Sequence, residues 1–203
     1  MGQRTIDPDD RAGPSDAELL RLAGAGDEEA FVTIYRRHHQ RVYRFALHLS
    51  GNQAVAEETT QEVFLFLLRS DHGYRVERGS LGAFLCGVAR NIVRRFLDRG
   101  SNETTLSEEL EADLAADDQP TLVHREQMEV VRRAVLALPA DYREVVVLCD
   151  LEEMSYADAA QVLDCPIGTV RSRLHRARAL LLAKLSAQLG MAAGQSGKVK
   201  CAG

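Results

Sequence analysis

The chain reads as an all-α protein of two small helical domains, and three observations predict that class. Apolar residues recur at three- and four-residue steps through most of the length, the period of a helix with one buried face. Leu, Val and Ala dominate a hydrophobic content of 45%, whereas aromatics make up 5% and tryptophan is absent, so the cores are aliphatic and favour helix. From Gly100 to His124 the pattern stops: seven acids (Glu103, Glu108, Glu109, Glu111, Asp113, Asp117 and Asp118) stand there with no Lys or Arg, and Pro120 falls inside the stretch. Residues 100–124 are therefore expected to form a flexible acidic linker between an N-terminal helical bundle and a C-terminal helix-turn-helix domain.

Residues 1–15 contain Gly, Pro and several Asp without apolar periodicity and read as a disordered leader. Ser15 and Glu18 have the spacing of a capping box, which predicts a short helix that buries Leu19, Leu20, Leu22 and Ala23 and stops at Gly24 and Gly26. A second helix is expected from Asp27 to Leu49, turning Ala30, Phe31, Ile34, Tyr35, His38, Val42, Phe45 and Leu49 inward before Gly51 and Asn52 end it. A third, Ala54 to Leu68, places Val55, Val63, Phe64, Leu67 and Leu68 inward and leaves Glu57, Glu58, Gln61 and Glu62 as a polar face. After a loop over Asp71–Gly79, a fourth helix from Ser80 to Asp98 buries Phe84, Leu85, Val88, Ile92 and Phe96 while carrying Arg90, Asn91, Arg94 and Arg95. Four amphipathic helices with short connections define a bundle over 16–99. Periodicity resumes near Leu122 and runs to Leu138, Pro139 breaks it, and Asp141 to Leu151 form the next helix of a domain over 125–188. Residues 189–203, rich in Gly and Ala, read as a flexible tail.

A formal net charge of −5 argues against a nucleic-acid binder held by bulk positive charge. The average hides an asymmetry, since five basic residues and no acid lie from Arg171 to Lys184. Cys86, Cys149, Cys165 and Cys201 are far apart, with no Cys-x-x-Cys pair and no His at metal spacing, so neither a metal nor another cofactor is expected. No basic start with an apolar run follows the N-terminus and no stretch is long enough to span a bilayer, which predicts a cytoplasmic protein with reduced thiols.

The informative segment lies between Met154 and Leu185. Ser155 and Asp158 make a capping pair for a helix from Tyr156 to Leu163, Asp164 and Cys165 make a tight connection, and Pro166 suits the first turn of the next helix. On that helix Ile167, Val170, Leu174, Ala177 and Leu181 face the core. At about 100° per residue, Ser172 and Arg176 point directly away, flanked by Thr169 and His175, with Arg171 and Arg173 on the shoulders. Gly168 leaves the helix start open to close backbone approach. Small residues followed by arginines suit base-edge reading and phosphate anchoring by the second helix of a helix-turn-helix. A merely solvated Arg-rich face is the plain alternative, and Arg178, nearer the core face, fits an ion pair as well as a phosphate contact.

Four segments in order, AEETTQEVFLFLL (56–68), LGAFLCGVARNIVRRFL (81–97), LPADYREVVVLCDLEEMSYADAA (138–160) and CPIGTVRSRLHRAR (165–178), give the chain a resemblance to bacterial extracytoplasmic-function sigma factors over 16–185. These are the small subunits that give RNA polymerase its promoter choice. The resemblance implies that 16–99 is sigma region 2 and 125–188 is sigma region 4, and that the chain is a transcription initiation factor and not an enzyme. It implies that Glu57, Glu58, Gln61, Glu62 and Phe64 dock on the clamp coiled coil of the polymerase's largest subunit, with the flap of the second-largest subunit as a further contact. Asn91 and Arg95 would touch bases of the minus-ten non-template strand, with Arg90 and Arg94 nearer phosphates, and the 71–79 loop would shape a pocket for an extruded base. Tyr156, Pro166, Gly168, Thr169, Arg171, Ser172, Arg173, His175 and Arg176 would form the minus-thirty-five site. The acidic linker resembles the family segment threaded near the RNA exit path, and an anti-sigma protein is an expected partner.

Departures from the family pattern are informative. Phe84 stands where many relatives carry Trp, which alters packing, and Thr59 and Thr60 replace commoner aliphatic residues, which is expected to weaken docking on the polymerase. Cys86, on the promoter-facing helix, reads as a small buried hydrophobe. A two-domain regulator whose residues 16–98 sense a ligand or dimerise is the competing reading, distinguished by specific duplex binding without polymerase. No Gly-rich phosphate loop, paired metal ligands or nucleophile and base stand out for an enzyme.

Overall fold

The computed structural model describes residues 13–69, 73–100 and 122–195. Among them are eight α-helices and no strand: α1 (Asp16–Gly24), α2 (Glu28–Ser50), α3 (Gln53–Leu67), α4 (Leu81–Gly100), α5 (Leu122–Leu136), α6 (Ala140–Val146), α7 (Tyr156–Leu163) and α8 (Ile167–Gln195). The expected leader to residue 12, the acidic stretch 101–121 and residues 196–203 lie outside the described residues. α5 begins at Leu122, within the stretch expected as linker, and α8 is helical through Gln195, within the stretch expected as tail.

The helix starts follow local chemistry. The side chains of Ser15, Asp27, Asn52 and Ser155 accept hydrogen bonds from the backbone N–H groups of Glu18, Ala30, Val55 and Asp158, satisfying donors that have no partner within the helix. Gly51 ends α2 in the left-handed region at φ +68°. After α6 the chain does not continue as a simple α-helix to Leu151. It makes a π-helical turn over Val147–Leu151, and Glu152 and Met154 then bond back to Val147 and Leu148.

Helix α2 packs against α1, α3 and α4, while α8 packs against α5, α6 and α7. Ile34, Phe45, Val63 and Leu85 fill the first group, and Val145, Leu148, Val170 and Leu174 fill the second, each 2% exposed or less. The two groups also meet: α4 lies on α7, and α2 lies on α5 and the π-helical turn, so a single buried cluster runs through both. Tyr35, Leu68 and Ile167, expected inward, are instead 41%, 56% and 42% exposed. Leu68 follows the last residue of α3 and Ile167 opens α8, where too little chain flanks the side chain to cover it. Thr59 and Thr60 are buried, at 0% and 7%, so these replacements alter the core and not a docking face.

Candidate nucleic-acid interface

Asp164 joins α7 to α8 in the left-handed region at φ 51°, and Thr169 N–H bonds to the Pro166 carbonyl at 2.8 Å as α8 begins. Val170, Leu174 and Ala177 are buried at 2% or less, which fixes the rotation of α8. The opposite side therefore carries Arg171, Ser172, His175 and Arg176 into the open, as the periodicity predicts. Pro166 and Gly168 are exposed beside them, and Thr169 is partly covered. Ser172 donates to the Thr169 carbonyl at 3.0 Å, and the Arg171 guanidinium sits over the Tyr156 ring at 6.0 Å, tying α7 to α8. Arg173 pairs with Asp141 at 3.0 Å. Arg176, Arg173, Ser172 and Thr169 share a shallow cleft with Pro139, Ala140, Asp141 and Tyr142. Arg178 is exposed and makes a two-point ion pair with Asp150, 3.0 Å at Nε, which holds the guanidinium charge more firmly.

On α4, Asn91 and Arg95 share an exposed face one turn apart, and Arg95 reaches Glu62 on α3 at 3.2 Å. Arg90 and Arg94 lie differently. Arg90 Nε is 3.0 Å from Glu144 Oε2 and Arg94 Nε is 2.8 Å from Glu144 Oε1, so both are engaged by an acid of α6. On α3, Glu57, Glu58 and Gln61 are exposed and Glu62 is half-buried against Arg95. Phe64 is a correction: it is 4% exposed, its ring wedged edge-on between Phe31 and Tyr35, and so offers no docking surface. Only half-covered, Phe84 packs on Phe66 and Tyr74, and the Tyr74 hydroxyl donates to the Gly79 carbonyl at 3.2 Å, bracing the 73–79 segment against α4.

Residues the sequence reading missed are the buried acids Glu144 and Glu152 and their partners Arg41, Arg44 and His48. A signal existed for Glu144, since it stands immediately before the apolar run Val145–Leu148 in an inward phase. Among the described residues no group of His, Cys, Asp and Glu could hold a metal ion. Cys86 is buried and its thiol is pushed up to about 12, first by burial; Cys149, half-buried, is pushed up to about 11. No described helix is long and apolar enough to cross a membrane.

A capped helix-turn-helix behind a bundle whose fourth helix carries an Arg and Asn face defines a promoter-recognition subunit, and comparison with known proteins supports that class. Residues 34–103 match Sigma-70 region 2 and residues 128–181 match Sigma-70, region 4. The chain is 36% identical over 181 residues to the ECF RNA polymerase sigma factor SigE of Mycolicibacterium smegmatis, covering 83% of this chain and 68% of that one. It is 34% identical to the ECF RNA polymerase sigma factor SigM of Mycobacterium tuberculosis over 170 residues, covering 82% and 83%. The sigma factor RpoE of Bartonella quintana, solved with the anti-sigma factor NepR, superimposes with a TM-score of 0.62 at 25% identity over 77% of this chain and 96% of that chain. CnrH, solved with the cytosolic domain of CnrY, matches in fold with a TM-score of 0.66 at 22% identity over 86% and 99%. The chain belongs to the extracytoplasmic-function sigma factors: it directs RNA polymerase core to specific promoters in transcription initiation.

Proposed function

We propose that the exposed face of α8 reads the minus-thirty-five duplex, with Ser172 and Arg176 central, Thr169 and His175 beside them, and Arg171 and Arg173 on flanking phosphates. The observation that carries this is the rotation of α8: three buried residues on one side leave a small hydroxyl and an arginine at the opposite pole, where a major groove can accept them. Tyr156 supports the site by holding Arg171, and Pro166 and Gly168 keep the helix start free of bulk. Asn91 and Arg95 contact bases of the minus-ten non-template strand, with Arg90 and Arg94 at phosphates. The exposed acids and amide Glu57, Glu58 and Gln61, with Glu62, form the surface offered to the polymerase clamp. Residues 16–99 and 125–188 act as the two working units, joined by the acidic stretch.

The chain performs no chemistry itself, because capture of unstacked bases shifts the duplex-to-open equilibrium by differential affinity alone while the polymerase forms the bonds. It works in the cytoplasm, beside the polymerase. An anti-sigma protein is its regulator, a reading supported by the solved pairing of RpoE with NepR. The direct test is promoter binding by reconstituted holoenzyme. Arg176→Ala is expected to weaken minus-thirty-five binding by about 1 to 3 kcal/mol and to relax base preference there; unchanged binding and preference would take Arg176 out of the site.

A further inference from the structure

Arg171 and Arg178 stand at i and i+7 of α8 and therefore share one stripe of the helix, two turns apart. Tyr156, the first residue of α7, lies across that stripe and meets both. Its ring, 38% exposed, has the Arg171 guanidinium over it at 6.0 Å, and its hydroxyl stands beside the Arg178 guanidinium. Asp150 of the π-helical turn grips Arg178 from a second direction, 3.0 Å from Nε and closer at Nη2, the two-point geometry that fixes the plane of a guanidinium. The two cations differ in their partners: Asp150 neutralises Arg178, whereas no acid among the described residues pairs with Arg171.

We propose that Asp150 and Arg178 are positioning residues for promoter recognition: they anchor the Tyr156 hydroxyl so that its ring presents Arg171 to a phosphate of the minus-thirty-five duplex. The proposal rests on the assignment of α8 to that duplex and of Arg171 to its backbone. An arginine with no acid partner samples many rotamers, and fixing one of them before DNA arrives removes that ordering cost from binding. The face of an aromatic ring suits this task, because it attracts the guanidinium without taking the hydrogen-bond donors that a phosphate needs. A carboxylate in the place of the ring would compete with the phosphate for those donors. Here the carboxylate is kept one step further back, on Arg178, where it holds the row together without touching the cation that meets DNA. The row Asp150, Arg178, Tyr156, Arg171 joins the π-helical turn, α7 and α8, so it fixes the ring from elements that do not themselves move with the Arg171 side chain.

The test uses holoenzyme and a fluorescein-labelled duplex that the parental holoenzyme selects from a random-sequence pool. Asp150→Asn removes an acid from a DNA-binding domain, which by charge alone tightens binding. The proposal predicts the opposite, a loss of about three- to tenfold. Tyr156→Phe, which keeps the ring and the net charge, should lose affinity in the same range. Both losses should shrink to within about twofold in an Arg171→Ala background, because both act through that guanidinium. The base preference of each variant should stay that of the parent, since a phosphate contact carries no sequence information. Arg171→Ala itself should lower the slope of log affinity against log salt concentration by about 0.9, the signature of one phosphate contact. Binding by Asp150→Asn or Tyr156→Phe at or above the parental affinity overturns the proposal, as does a loss that persists undiminished with Arg171→Ala. An unchanged salt slope in Arg171→Ala removes the phosphate assignment and the proposal with it. A lowered slope beside unaffected Asp150→Asn and Tyr156→Phe leaves that assignment standing and sinks the positioning role alone.

Discussion

Asp16 accepts from His38 Nε2 at 2.8 Å and from Arg37 at 3.0 Å, joining the first turn of α1 to the middle of α2. The His38 bond, aided by Arg37 and opposed by burial, holds its carboxyl below the usual value of 3.8. A depressed folded-state pKa contributes stability above the unfolded value, and that contribution is lost as pH falls through the folded value. Asp16→Asn is therefore expected to lower unfolding free energy by about 1 kcal/mol near pH 7 and by much less below pH 3, as measured by urea titration at both pH values. An equal loss at both would assign the effect to packing. Other single residues show where a sequence stops speaking. The inward phase of Phe64 was visible in its spacing, but the Phe31 and Tyr35 rings that enclose it come from another helix, so its removal from the docking surface was not. Thr59 and Thr60, which replace commoner aliphatic residues, were expected to weaken docking on the polymerase, but both are buried. Thr60 instead satisfies its hydroxyl on the Ala56 carbonyl at 2.7 Å within the core.

At the scale of elements, caps and periodicity were legible because both are local. Ser15 and Ser155 cap where their spacing predicts, and the polar pole of α8 emerges at Ser172 and Arg176 as the helical period requires. The π-helical turn was not legible, since one extra residue in a turn leaves the local apolar pattern Val145–Leu148 intact. The corner between α2 and α3 is tightly constrained. Gly51 has φ +68°, and a Cβ there would stand 2.7 Å from Leu136 Cδ1 of α5. Gly51→Ala is expected to cost about 1 to 2 kcal/mol from the left-handed backbone alone, with a further loss from displaced Leu136, seen as a lower thermal midpoint. A midpoint equal to the parent's would mean that the corner relaxes without cost.

For the whole molecule, two helical groups were predictable from the break in periodicity at 100–124, but their mutual packing was not. An amphipathic pattern says which side of a helix is covered and never which partner covers it; the pairs Arg90–Glu144 and Arg44–Glu152 span 54 and 108 positions. The sequence suggested that Arg90 and Arg94 face nucleic acid and gave no sign that both pair with Glu144, because a guanidinium pairs with phosphate and carboxylate alike. The proposed role as a subunit that gives the polymerase its promoter choice requires that specific recognition be expressed on the polymerase. The measurement that addresses this most directly is promoter-fragment binding by the unaltered chain, alone and with RNA polymerase core, against a scrambled fragment. The account predicts weak binding without sequence preference for the chain alone and tight, sequence-specific binding with core. Specific duplex binding by the chain alone, unchanged when core is added, would contradict it.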